Sequence, residues 1–332
     1  MIKIGVIGVG HLGKIHLKCL KNASDISIVG IFDANIEQAR QVANDAEVPF
    51  YQDIDELIAL CDAIDIVVPT EFHHEIAIKA LNAGKHIFIE KPISHTLEEA
   101  DEMLKLAKSK SLKIQVGHVE RFNPAFQAIQ HLSLNPMFIE AHRLATFNPR
   151  GTDVSVVLDL MIHDLDIILA CVRSKVKEIR ASGVSIISNN PDISNVRIEF
   201  ENGAVANLTA SRISLKQMRK LRIFQPDAYI SLDFLEKNAQ IVRLYEEEPA
   251  DKQGTLMSMD TQNGPRFIEI EMPEPKEINA IQMELELFAD AIINNTPTAV
   301  TGEDGYNALE LAFQILEEID AHTQRALKAK QS

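Results

Sequence analysis

The run VLDLMIHDLDI, residues 157 to 167, sets Asp159, His163, Asp164 and Asp166 among Val, Leu, Met and Ile. An apolar segment with this much ionisable chemistry needs a reason, because a buried charge without a partner is costly. Wound as a helix, the run brings Asp159, His163 and Asp166 to one face, since residues three and four apart are neighbours. An imidazole there suits proton transfer near neutral pH, and a carboxylate can hold a hydroxyl. A second candidate is Lys91, between Glu90 and Pro92 in IFIEKPIS. The proline stiffens the turn that aims the amine. An ammonium in that place can stabilise negative charge developing on an oxygen. Asp159 and His163 also have the i, i+4 spacing of metal ligands. No further His or Cys cluster accompanies them, so no metal is expected.

A third constellation is GVIGVGHLG, in which Gly8, Gly10 and Gly13 form G-x-G-x-x-G, with His11 and Leu12 completing the loop. The loop follows an apolar strand and precedes a helix-period segment. A tight turn, a close backbone approach to a pyrophosphate and a close helix-strand contact each require a residue without Cβ, while the helix N-terminus offers amide donors. Asp33 ends the second apolar run, about 20 residues after Gly13. A carboxylate there accepts hydrogen bonds from an adenosine ribose and repels a 2′-phosphate, so NAD is the expected cofactor. The rings of His11 and His16, which flank the loop, read as solvated or helix-packing.

These residues need a frame. From residue 2 to about 117, short apolar runs (Ile2–Ile7, Ile26–Phe32, Ile64–Val68, His86–Ile89, Lys113–Val116) alternate with helix-period segments (Ile36–Asn44, Phe72–Ala83, Leu97–Ser109). That is the rhythm of parallel βαβ units. Thr96 is placed to cap one helix and Gly84 to end another. In such a sheet the carboxyl ends of the strands face the ligand crevice, where Lys91 then stands. Beyond residue 118 the period changes to two, as in VRIEFENGAVANLTAS, with hairpin turns at Asn202-Gly203 and near Lys237-Asn238. Helical period returns over Asn279–Asn294 and Gly305–Leu327. The expected fold is α/β: an N-terminal Rossmann domain with a doubly wound parallel sheet, residues 1–118, and a C-terminal α/β domain with a large, open, mostly antiparallel sheet, residues 119–332.

Composition bounds the partners. The chain has 332 residues, 46% of them hydrophobic, and a formal net charge of -15. That acidity argues against nucleic acid or an anionic membrane as the main partner. No apolar run is long enough to span a bilayer. The three cysteines, Cys19, Cys61 and Cys171, are far apart, which fits a reducing compartment, and a cytoplasmic location is expected.

Taken in order, Gly8-x-Gly10-x-x-Gly13, Pro69-Thr70 with His73 downstream, AGKHIFIEKP at 83 to 92, and Asp159-x-x-x-His163 resemble the Gfo/Idh/MocA oxidoreductases over nearly the whole chain. The resemblance implies hydride transfer between a nicotinamide and a secondary hydroxyl, and a second domain whose open sheet mediates assembly as a homodimer or homotetramer. It implies Lys91 and His163 as catalytic residues, with Asp159 binding substrate. Pro69, Thr70, His73, Glu90 and Lys91 join the glycine loop at the cofactor. Removing the hydroxyl proton needs a base, and either Lys91 or His163 can serve.

GHVERFNPAF, residues 117 to 126, begins where the last Rossmann strand hands over to the second domain, so Arg121 and Asn123 are candidates for the substrate side, as is Arg150 in FNPRGTD. A guanidinium pairs with phosphate and an amide reads a hydroxyl. Together with the 157–167 run, this segment is most similar to the branch of the family that oxidises the 3-hydroxyl of UDP-N-acetylglucosamine. A free polyol such as inositol is the alternative substrate, and a dinucleotide-binding regulator without turnover is the alternative class.

Overall fold

The structure is a computed structural model that describes residues 1–148, 154–261, 264–274 and 277–331. The first unit opens with β1 (Ile2–Ile7), α1 (His11–Asn22), β2 (Ile26–Phe32), α2 (Ile36–Ala46), α3 (Ile54–Leu60) and β3 (Ala63–Ile66). It continues through α4 (His73–Asn82), β4 (His86–Glu90), α5 (Leu97–Ser109) and β5 (Ile114–Gly117). The five strands form one parallel sheet in the order β2-β1-β3-β4-β5. The order reverses between β1 and β3, and a ligand crevice opens at such a switch point. β1, β3 and β4 are buried along most of their length, as a sheet covered on both faces requires. The expected terminators are in place. Thr96 and Glu99 form a reciprocal capping box on α5, and Gly84 follows α4 at φ 75°.

The second unit holds α6 (Pro124–Gln127), β6 (Phe138–Leu144), α7 (Ile162–Val172), β7 (Val176–Val184), β8 (Ile193–Phe200) and β9 (Val205–Ser211). Then come β10 (Met218–Gln225), β11 (Ala228–Asp233), β12 (Asn238–Tyr245), β13 (Thr255–Thr261) and β14 (Gly264–Glu271). The nine strands run in the order β13-β14-β12-β11-β10-β6-β9-β8-β7; β6 and β9 pair in parallel and the other neighbours antiparallel. The β8-β9 hairpin turns at Asn202-Gly203, where Gly203 takes φ 87°, and β11 meets β12 beside Lys237 at φ 57°. Inward residues such as Val196, Ile198, Leu221 and Ile223 pack with Leu165, Ile168, Leu311 and Ile315 into one apolar core. Each large side chain buried there contributes about 1.5–3 kcal/mol.

Two helices complete the chain: α8 (Ala280–Ile293) and α9 (Gly302–Gln331). The compact units are Met1–Phe122 with Asn279–Leu309, and Asn123–Ile278 with Glu310–Ser332. The segment 279–309, which the sequence reading gives to the second domain, therefore packs in the first. The reason is apolar complementarity: Leu285, Phe288 and Ala289 of α8 join Val6, Leu17, Leu20 and Phe88 in the core of the first unit. Asn279 caps α8 and its amide reaches the Cys19 thiol at 3.4 Å.

Candidate active site

In the first unit a crevice of about 530 Å³ opens at the switch point, lined by Gly8, Gly10, Asp33, Asn35, Pro69, Phe72 and Lys79 among others. The three glycines do different work. Gly8 takes φ +93°, and a Cβ there would lie 2.5 Å from the Val67 carbonyl oxygen. A Cβ on Gly13 would lie 2.0 Å from the Gly8 carbonyl oxygen, so α1 can approach the loop only without one. At Gly10 a Cβ meets no protein atom within 4 Å. The space beside Gly10 is thus open to a ligand, and Gly10 caps α1 without a side-chain acceptor, leaving the first amides of the helix to bind an anion. The arrangement fits a dinucleotide pyrophosphate. His11 and Leu12 are exposed at the start of α1.

Asp33 lines the crevice, half-buried, with one carboxylate oxygen accepting from the Val9 amide at 2.8 Å and the other from the Asn35 amide at 2.9 Å. It therefore ties the glycine loop to the end of β2 while presenting negative charge at the rim. Replacing Asp33 by Ser is expected to narrow the preference for NAD over NADP, read as the ratio of kcat/KM for the two cofactors. Equal use of both by the unaltered protein would remove Asp33 from the ribose.

Pro69 is exposed at the rim and Thr70 half-buried. His73 is 1% exposed, and its two ring nitrogens lie 2.9 Å from the Pro92 carbonyl oxygen and 3.0 Å from that of Val68. Burial lowers its pKa, and the ring sits between the loops after β3 and β4, where its neutral form donates to one of the two carbonyls. Lys91 is half-buried just past β4, and its peptide bond to Pro92 is cis. The carboxyl of Glu90 turns inward: one oxygen lies 3.1 Å from His16 Nε2, and the other accepts from the Lys91 amide at 3.3 Å. His16 is fully buried rather than merely packed, with Nδ1 3.0 Å from Asp65.

Arg121 is mostly buried in the first unit, 3.7 Å from Asp304. Asn123 opens the second unit; its carbonyl caps α6 and its amide donates to the Phe234 carbonyl at 3.0 Å, which is a bracing role. Arg150 lies outside the described residues. Val157–Met161 is a π-turn, closed by the Ile162 amide on the Val157 carbonyl, and it leads directly into α7. Such turns are frequent at functional sites. Asp159 and His163 stay half-buried, whereas Asp166 is 1% exposed. His163 and Asp166 lie three residues apart in α7, and Asp166 is the more deeply buried of the two, so only Asp159 and His163 are left half-exposed. Asp164, next to His163, makes a bidentate pair with Arg143 of β6 at 2.8 and 3.0 Å, both side chains buried. That pair fixes α7 to the sheet; the sequence reading passed over it, although an arginine within an alternating strand is a signal for one.

Residues 2–118 match the family described as an oxidoreductase family with an NAD-binding Rossmann fold, and residues 136–230 match the GFO/IDH/MocA C-terminal domain. The chain is 35% identical to UDP-N-acetylglucosamine 3-dehydrogenase of Acidithiobacillus ferrooxidans over 98% of its length and 99% of that protein. The chain belongs to the Gfo/Idh/MocA oxidoreductases. A solved structure of the same Acidithiobacillus enzyme superposes with a TM-score of 0.87, covering 96% of this chain and 98% of that one. Among other Gfo/Idh/MocA relatives, myo-inositol 2-dehydrogenase of Thermotoga maritima is 26% identical over 94% of each chain. A scyllo-inositol dehydrogenase from Lactobacillus casei, solved with NAD(H) and scyllo-inositol, shares the fold at a TM-score of 0.76 and 21% identity, covering 97% of this chain and 98% of that one. As a Gfo/Idh/MocA member, the protein is an NAD-binding oxidoreductase. Among the described residues, no helix is long and apolar enough to cross a membrane.

Proposed function

We propose that this chain oxidises the 3-hydroxyl of UDP-N-acetylglucosamine, with Lys91, His163 and Asp159 as the residues that act on the sugar. The observation that carries the reading is the full-length 35% identity to an enzyme of that name, against 26% for the inositol dehydrogenase. Bound NAD supplies a nicotinamide carbon that accepts the hydride. The protein's own residues do the rest. Lys91, as ammonium, donates to the carbinol oxygen and stabilises the charge that grows there as the proton leaves. His163 takes that proton, and Asp159 accepts from a neighbouring hydroxyl to hold the ring. Arg121 and Arg150 are the cations proposed for the diphosphate. In this reading the enzyme works in the cytoplasm as a homodimer or homotetramer, assembled through the nine-stranded sheet.

The test is a panel of UDP-N-acetylglucosamine, other UDP-sugars, free glucose and myo-inositol, followed by NADH absorbance and by mass spectrometry of products. NADH and a 3-keto UDP-sugar are the expected products. Turnover of myo-inositol or free glucose with UDP-N-acetylglucosamine inert overturns the substrate and favours the polyol reading. NAD binding without turnover of any sugar favours a regulator.

A further inference from the structure

Four titratable side chains from four elements of the first unit meet, three of them fully buried and Glu90 nearly so. His16 of α1 hydrogen-bonds Asp65 of β3 through Nδ1 at 3.0 Å, and its Nε2 makes an ion-pair contact, without hydrogen-bond geometry, 3.1 Å from Glu90 at the end of β4. Glu284 of α8 is fully buried, and neither of its carboxyl oxygens has a hydrogen-bond partner. Donor atoms of His16, Glu90 and Glu284 all lie within 4.8 Å of one another. Phe88 stands edge-on to the imidazole, its ring centroid 5.7 Å away. The Glu90 carboxyl rests on Gly117 of β5, where a Cβ would come within 2.7 Å of it. Its second oxygen then accepts from the Lys91 amide.

We propose that His16 is a positioning residue for Lys91: it joins α1, and with it the glycine loop, to the end of β4 through Glu90. The inference rests on the reading of Lys91 as the catalytic lysine. The geometry leaves Glu90 no freedom, since Gly117 lies on one side of its carboxyl and the imidazole on the other. The rotamer of Glu90 in turn fixes the peptide that carries Lys91. Asp65 orients the ring from behind, as an acceptor for Nδ1–H.

Charge explains the fourth member. At their ordinary neutral-pH states three acids and one imidazole would bring at least two uncompensated negative charges into an apolar interior, which is prohibitive. Burial drives Glu284 well above the ordinary carboxylate range, and the nearby Glu90 adds to the shift, so Glu284 is held as the neutral acid. Burial alone would lower His16, but the carboxyls of Asp65 and Glu90 outweigh it and hold the imidazolium well above its ordinary range. The other titratable groups facing the cluster are Cys19 on α1, toward His16 and Glu284, and His73 on α4, toward Glu90. Burial raises Asp65 as well, against the pull of His16, and all three raised groups favour the fold most at low pH and lose that contribution as pH rises through their folded values.

The experiment uses the full chain in four parts. In protein labelled with ¹⁵N-histidine, with the His16→Gln variant assigning the signal, both ring nitrogens of His16 are expected to be protonated at pH 7, where an ordinary imidazole is mostly neutral. A neutral imidazole at pH 7 overturns the proposal. Glu284→Gln, which copies a neutral acid, is expected to melt at or above the unaltered protein, with a gap that widens as pH rises; a lower Tm at every pH overturns it. Elemental analysis of the purified chain is expected to find no stoichiometric metal, and one ion per chain overturns the proton-loaded cluster in favour of a metal site.

The last part is kinetic, with UDP-N-acetylglucosamine or, where that sugar is inert, myo-inositol. His16→Gln and Glu90→Gln are expected to lower kcat about tenfold or more with KM little changed. Turnover lost in Lys91→Ala but an unchanged kcat in His16→Gln and Glu90→Gln, or a loss that falls on KM and NAD affinity instead, overturns the positioning role alone. Turnover retained in Lys91→Ala overturns the catalytic reading as well.

Discussion

Lys91→Ala and His163→Ala are each expected to lower kcat by roughly two to four orders of magnitude, the usual scale for losing an acid-base group. NAD affinity, measured by quenching or calorimetry without sugar, should survive in both variants, because the glycine crevice belongs to residues neither substitution touches. Lys91→Arg is a sharper probe. It keeps the positive charge but replaces a compact ammonium with a wider planar fork, so little activity should return if the amine donates to one oxygen at close range. Asp159→Asn should raise KM more than it lowers kcat, since an amide still meets a hydroxyl but with one acceptor fewer. Unchanged kinetics in all three alanine or asparagine variants would return Asp159 and His163 to the role of half-buried helix residues and Lys91 to that of a strand-end lysine.

Gly13→Ala and Gly10→Ala should part company. A methyl on Gly13 would sit 2.0 Å from the Gly8 carbonyl oxygen, so α1 must move away from the loop. Both the Tm and NAD affinity should fall, the affinity by at least about a hundredfold, since misplaced helix amides lose their hold on the pyrophosphate. A methyl on Gly10 meets no protein atom within 4 Å. Its Tm should stay within a degree or two of the unaltered protein, yet it occupies the space a pyrophosphate approaches, and NAD affinity should fall about tenfold or more. Thermal melts and NAD titrations of the two variants check this. Equal affinity in Gly10→Ala and the unaltered protein would mean that the dinucleotide does not pass over Gly10.

Much of the site was legible in the chain because it is built from short-range devices. A glycine loop between a strand and a helix, an acid at the end of the next strand, and a lysine stiffened by proline each carry their geometry within a few residues. So do the capping box at Thr96 and the turn at Asn202-Gly203. Local backbone rules act at those distances, so the five parallel strands of the first unit and the β8-β9 hairpin of the second followed from periodicity, while the helix Ile54–Leu60 and most strands of the second sheet did not. One signal went unread. His16 falls with Gly13, Leu17 and Leu20 on the buried face of α1, and Asp65 interrupts an otherwise apolar parallel strand. A histidine on a core face and an aspartate in a core strand each call for a partner, and they are partners of each other.

Other features could only be decided by tertiary packing. That α8 belongs with the first unit depends on Phe288 meeting Phe88 at 5.9 Å, a contact between residues 200 positions apart that no window of sequence contains. The π-turn at 157–161 was equally hidden, because an α-helix and a π-turn share the same apolar pattern over five residues. The protonation of Glu284 is the furthest from the chain. A glutamate keeps its ordinary charge in a helix exposed to water, and becomes a neutral acid only where folding strips its solvent and sets Glu90 beside it. The sequence by itself thus determined which chemical groups are available and the local geometry around each glycine, turn and cap. The tertiary structure decided which of those groups lost water together, and desolvation is what turns a list of ionisable side chains into defined charge states.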